Sequence, residues 1–167
     1  MRVYSKLFVT IAIVFAVATL AFAQEPQWFD MEKCAMCKHL TTHEGLLENM
    51  TWEHHNISNG IISVTTAKKE YIPALREAQA KMEAVGKKME KGEQLPKCGM
   101  CMAIGELMMK GAKWECVKTL HGDVCLVTSD DPELVAKIQE WAKRTMAEMK
   151  KMEMKHEHKE GKEHKKG

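Results

Sequence analysis

Two short motifs carry the chemistry of this chain: Lys33-Cys34-Ala35-Met36-Cys37 and Lys97-Cys98-Gly99-Met100-Cys101. Both read K-C-x-M-C. Cysteines three residues apart on a helix share a face, so each pair can grip an ion from one side. Two such pairs supply four soft thiolates, the complement of a closed tetrahedral site for zinc or copper(I). The same residues can instead form two local disulfides, Cys34–Cys37 and Cys98–Cys101, in an oxidising compartment. A third chemistry is redox exchange. A helix N-terminus and an adjacent lysine both favour thiolate, and Lys33 and Lys97 directly precede the motifs. A thioredoxin-like site would need a βαβ context, and none precedes either motif. Ordinary haem attachment is excluded, because Lys38 and Met102 stand where C-x-x-C-H requires histidine. Metal binding, disulfides and redox exchange all stay open at this point.

Other soft or basic ligands accompany the motifs. His39 and His43 are one helical turn apart, close enough to hold a metal together or to stand as two solvated residues. Met31, Met102 and Met108 flank the cysteines, and the chain has 14 Met in all. Thioethers beside thiolates favour copper(I), although a helix-core role is the plainer reading of any single Met. His54 and His55 are neighbours on a strand, so they point to opposite faces and cannot chelate together. Cys116 and Cys125 belong to one hairpin. They face each other if its loop centres on Leu120-His121, and are only diagonal if His121-Gly122 is a two-residue turn. The first arrangement predicts a cross-strand disulfide. No Ser-His-Asp order, phosphate loop or isolated carboxylate pair rises above background, so no enzyme is read here.

The elements that position these residues come in two similar sets. Trp52-Glu53 answers Trp114-Glu115, Asn59-Gly60 answers His121-Gly122, and Val64-Thr65-Thr66 answers Leu126-Val127-Thr128. This predicts two repeats, 31–92 and 95–154, joined by Lys91-Gly92-Glu93-Gln94-Leu95-Pro96. Each repeat reads as helix, hairpin, helix. The CxxC helices are expected at Cys34 to about Met50 and Cys98 to about Lys110. The hairpins are Trp52–Ile57 with Ile61–Thr66, and Trp114–Thr119 with Val124–Thr128. Ile72, Leu75, Ala78, Met82, Val85 and Met89 make one amphipathic stripe, and Pro73 keeps that helix from starting much before Lys69. In the other closing helix Asp131 caps, Pro132 takes the first turn, and Leu134, Val135, Ile138, Trp141 and Met149 form the stripe. Trp52 and Trp114 are expected as core anchors. A lone hairpin is marginal in water, so the two should pair into one antiparallel sheet. The expected class is α+β: a tandem duplicate of an α-β-β-α unit, pseudo-twofold, its sheet covered by helices.

The ends and composition set the context. Arg2 and Lys6, an apolar stretch from Leu7 to Leu20, and Ala21-Phe22-Ala23 read as a signal peptide over residues 1–23. The apolar stretch is short for a membrane span, so no stable anchor is expected after cleavage. The folded part is expected at 24–154, as a single domain. Residues 24–167 carry 23 basic and 23 acidic side chains, a balance that argues against nucleic acid as partner. Residues 155–167 are Lys, Glu, His and Gly only, and read as a disordered tail whose His156, His158 and His164 can hold metal weakly.

The segments Asn59–Thr66 and Val127-Thr128-Ser129-Asp130-Asp131-Pro132-Glu133, with the helix that follows, resemble a module of small, uncharacterised, exported bacterial proteins rich in Met and His. These carry an N-G hairpin and a T-S-D-D-P-E-capped helix. The resemblance covers about a quarter of the chain. It implies a shared structural unit and periplasmic metal biology, and it supplies no catalytic residues. The sequence therefore predicts a periplasmic or secreted soft-metal-binding protein for zinc or copper trafficking, buffering or resistance. Its expected ligands are Cys34, Cys37, Cys98, Cys101, His39 and His43, and its partners are the metal ion and another periplasmic protein. The alternatives are a thiol-disulfide redox protein and a disulfide-stapled interaction module without metal.

Overall fold

Four runs rich in β-branched and aromatic residues pair into one antiparallel sheet. They are β1 (Met50–Ile57), β2 (Gly60–Ala67), β3 (Lys113–Lys118) and β4 (Gly122–Thr128), in the order β1-β2-β4-β3. The computed structural model describes residues 26–163, with side chains described through Met152. The expected signal peptide and residues 164–167 of the expected tail lie outside the described residues. Three α-helices complete the α+β fold: α1 (Ile72–Glu90), α2 (Gly99–Met109) and α3 (Pro132–Glu163).

Both hairpins form as the turn signals predict. They meet through their second strands, with Ser63 opposite Cys125 at the centre of the β2–β4 ladder. Gly60 pairs with Thr128, and Thr66 pairs with Gly122. The alternation of each strand sorts its side chains into two faces. Trp52, His54, Ile61, Ser63, Cys125 and Val127 share the inner face. There α3 lies across β1, β2 and β4, and α1 reaches β4. Ile61, Val127, Leu134, Ile138 and Trp141 are buried in this layer, each worth roughly 1.5–3 kcal/mol of apolar burial.

The closing helices follow their sequence signals. Asp131 Oδ1 accepts the Glu133 amide at 2.9 Å, capping α3 as expected. A 3₁₀ turn at Lys69–Tyr71 leads into α1, with Pro73 in its first turn. Arg76 on α1 donates to Asp123 at 2.5 Å and to the carbonyls of Thr119 and Gly122 at 2.8 Å each, tying α1 to the second hairpin. The α3 helix continues to Glu163, past the expected boundary at 154. Lys and Glu are strong helix formers, so that composition does not oblige the backbone to leave the helix.

Two expectations are corrected. The helix predicted over Cys34–Met50 does not form; 3₁₀ turns at Cys37–Thr41 and Leu47–Asn49 replace it. The Thr41 and Thr42 hydroxyls donate to the carbonyls of Lys38 and His39, both at 2.9 Å, competing with helical propagation. Gly45 then adopts φ +77°, and an added Cβ there would lie 2.6 Å from the Tyr71 hydroxyl. Trp114 is not a core anchor: it is 38% exposed on the edge strand β3, although its ring meets Trp141 edge-on. Trp52 is held inside, its indole donating to Ser63 Oγ at 2.9 Å.

Candidate metal centre

The two cysteine motifs arrive at one point by different routes. The second is an N-terminal helix turn: Cys98 stands at the N-cap of α2 and Cys101 in its first turn. The first is an irregular turn. Asp30 Oδ1 accepts the amides of Glu32 at 3.1 Å and Lys33 at 2.7 Å, and the Asp30 carbonyl accepts that of Cys34 at 3.3 Å. Residues 26–30 run across both motifs as a strap. Gln27 and Trp28 carbonyls accept the amides of Gly99 at 2.9 Å and Met100 at 3.0 Å, two of the α2 donors that lack helical partners. The Pro96 carbonyl accepts the Ala35 amide at 2.9 Å, fastening one motif to the approach of the other.

Trp28 and Phe29 anchor the strap in the core. Neither carried an expectation from the sequence, although two adjacent aromatics just ahead of the first cysteine are a readable signal. The α3 helix closes the other side. Arg144 lies 4.0 Å over the Trp28 ring, and the Trp141 indole donates to the Met100 carbonyl at 3.3 Å.

Inside this frame the four Sγ atoms lie within 4.8 Å of one another. Cys34 and Cys101 are 3.6 Å apart, Cys37 and Cys98 3.6 Å, and Cys37 and Cys101 3.7 Å. With zinc–sulfur bonds of about 2.3 Å, a tetrahedron of thiolates has edges of about 3.8 Å. The sulfurs are thus spaced for one ion of that size. All four are free thiols, so the local disulfides Cys34–Cys37 and Cys98–Cys101 are not formed.

The surroundings suit a soft ion. Cys34, Cys37 and Cys98 are no more than 2% exposed, while Cys101 is partly exposed. Met100 is buried in the same cluster, and Met31, Met36, Met149 and Met152 pack against it. Hydrogen bonds divide the thiols into two kinds. Cys101 above all, then Cys37, Cys98 and the Cys37 backbone amide, hold the Cys34 thiol far below its ordinary range. Cys98 is lowered to about 6, chiefly by Cys101, with the Cys101 amide also contributing. Cys37 is raised, first by its contact with Cys101, and Cys101 is raised, first by Cys34; burial raises both. Thiolate character gathered in a buried space favours a cation, and a bound divalent ion would draw the remaining protons off as four thiolates closed on it. The N-terminus of α2 adds its own partial positive charge.

The expected histidine ligands are not drawn in. Among the described residues, the group able to hold a metal consists of the four cysteines alone. His43 Nε2 instead meets Glu77 at 3.0 Å on the surface. Burial and the Lys38 and Lys81 charges lower the pKa of His39.

The remaining cysteines pair as the sheet register allows. Cys116 lies directly opposite Cys125, with Cα atoms 4.1 Å apart, and the two form a disulfide. The loop therefore centres on Leu120-His121. His54 is a partly buried residue, both ring nitrogens shielded from solvent, whose setting the sequence did not disclose. Its ring sits between Trp52 at 4.9 Å and Trp141 at 5.1 Å, with no hydrogen-bond partner on either nitrogen. Burial, with a smaller push from His55, lowers its pKa to about 4.

No known protein-family model, curated protein or solved structure matches this chain. The class of protein rests on the fold and the site: an α+β domain with a buried four-cysteine cluster that can hold a metal ion.

Proposed function

We propose that this chain is an exported soft-metal-binding protein that holds one ion through Cys34, Cys37, Cys98 and Cys101. The observation that carries the reading is the spacing of the four sulfurs, 3.6–3.7 Å in their measured contacts, against an edge of about 3.8 Å for a zinc tetrathiolate. Zinc is the ion that four thiolates at this spacing suit best. Copper(I) is the competing ion, because the thioethers of Met31, Met36, Met100, Met149 and Met152 surround the core that includes the thiolates. Trafficking, buffering or resistance is the corresponding role, and the N-terminal leader supports a periplasmic or secreted location. Export also gives the metal a purpose within the chain. Four thiols in contact would tend to oxidise in that compartment unless an ion held them.

Duplication of an ancestral hairpin-and-helix unit accounts for the shared motif. The β2–β4 register reads the same from either end, and the contacts Cys34–Cys101 and Cys37–Cys98 are equal at 3.6 Å. Both are what a local twofold relation requires. The divergence of the first CxxC element into 3₁₀ turns belongs to the strap side of the site.

The test is native mass spectrometry of the full chain purified under reducing conditions and offered zinc or copper(I). One ion per chain is expected, lost in Cys34→Ser and Cys98→Ser, and retained in His39→Ala and His43→Ala. Stoichiometry unchanged by the cysteine substitutions would remove the reading.

A further inference from the structure

The four sulfurs are close enough to bond to one another as well as to an ion, and the arrangement selects which would bond. The four sulfurs lie within 4.8 Å of one another, and the three contacts of 3.6–3.7 Å run between the motifs: Cys34 with Cys101, Cys37 with Cys98, and Cys37 with Cys101. Only the first two can form together and use all four cysteines. A disulfide needs its sulfurs at about 2.0 Å, so each pair must close by about 1.6 Å, within reach of side-chain rotation. The Ala35 amide, bonded to the Pro96 carbonyl at 2.9 Å, holds the two motif backbones side by side. Metal and disulfides draw on the same sulfur electron pairs, so they exclude each other.

We propose that the cluster is a redox-gated metal site, in which a small disulfide oxidant crosslinks Cys34 to Cys101 and Cys37 to Cys98 and expels the ion. The inference rests on the metal-binding reading. Three of the ligands are sealed at 1–2% exposure, and Cys101 is the partly exposed one, so attack begins there. The Cys101 thiolate attacks the oxidant's S–S bond, forms a mixed disulfide and releases one small thiolate. Cys34, 3.6 Å away, attacks the Cys101 sulfur, closes the first crosslink and releases the second small thiolate. The ion has then lost two of four ligands. Loss of the ion opens the site, and Cys37 and Cys98, 3.6 Å apart, then repeat the exchange with a second oxidant molecule. In total four protein thiolates give up four electrons, two oxidant disulfides become four thiolates, and the divalent ion leaves unchanged. The Cys116–Cys125 disulfide lies in the sheet and takes no part.

The experiment uses zinc-loaded full chain and oxidised glutathione, which spares the methionines. Zinc release is followed with a chromophoric chelator, and disulfides are mapped by mass spectrometry of unreduced digests. One zinc should be released per two glutathione disulfides consumed, with Cys34–Cys101 and Cys37–Cys98 as the new bonds and reuptake after reduction. Bonds confined within each motif, or zinc retained after full oxidation, would overturn the proposal. The apo chain is mapped in parallel to separate the two claims. A chain that takes up no zinc sinks the metal reading and the gating with it, while its map still decides the pairing.

Discussion

Replacing Gly99 with Ala makes the two motifs identical, each reading Lys-Cys-Ala-Met-Cys. By sequence alone the change should be harmless or helpful, since Ala is favoured over Gly in a helix by up to about 1 kcal/mol. The structure argues the reverse. A Cβ at Gly99 would lie 2.9 Å from the Pro26 carbonyl oxygen and 3.3 Å from the Trp28 Cα. Both are backbone atoms of the strap, which cannot rotate away as a side chain would. The strap must retreat, weakening the Gly99–Gln27 and Met100–Trp28 hydrogen bonds of 2.9 and 3.0 Å. At about 1 kcal/mol each, the loss is about 2 kcal/mol, against a smaller gain from helix propensity. A net destabilisation of about 1–2 kcal/mol follows. Gly105→Ala on the same helix is the control, because nothing lies within 4 Å of its added Cβ. It should stabilise by up to about 1 kcal/mol. Urea unfolding of the three chains, with proteolysis at the strap as a second readout, decides the matter. Gly99→Ala as stable as the parent, with its strap equally protected, would refute the reasoning.

Removing the hairpin crosslink with Cys116→Ser and Cys125→Ser together should lower stability by about 2.5 kcal/mol, from the entropy of closing a loop across a sequence separation of nine. Zinc stoichiometry should stay the same, and a loss of the ion would show that the disulfide supports the site. His54 gives a pH dependence. Its folded pKa of about 4 lies below the ordinary 6.5, so the unfolded chain binds the proton more readily. Stability is therefore full above about pH 6.5 and declines as pH falls toward 4, by at most roughly 3 kcal/mol. His54→Phe should flatten that part of the stability–pH curve, and an unchanged slope would remove His54 as its source.

The secondary structure was legible where local chemistry dominates. Asn59-Gly60 marked the first hairpin, and Asp131-Pro132 marked the start of α3. The segment after Cys37 misled because the CxxC spacing suited one face of a helix, while Thr41, Thr42 and Gly45 broke it through hydroxyl back-bonding and a positive φ. The four cysteine ligands were legible as types and spacings. Their convergence was not, because it depends on the strap of residues 26–30, the roof formed by α3 and the β2–β4 register, all contacts distant in sequence. His39 and His43 lie outside that four-cysteine cluster. Their spacing suits chelation, yet the 3₁₀ turn and Glu77 place His43 in a surface ion pair. His54 looked like half of an uninformative pair, since only the fold encloses it between two tryptophans.

Cobalt(II) substitution is the sharpest probe of a four-thiolate site, because its optical spectrum reports ligand type, number and geometry together. The full chain, reduced at its four free cysteines, is titrated with cobalt(II) and then with zinc. Saturation is expected at one ion per chain, with the strong sulfur-to-cobalt charge-transfer and visible bands of a tetrahedral tetrathiolate, displaced by one equivalent of zinc. Weak octahedral bands, or an unchanged spectrum in a variant lacking Cys34 and Cys98, would contradict it.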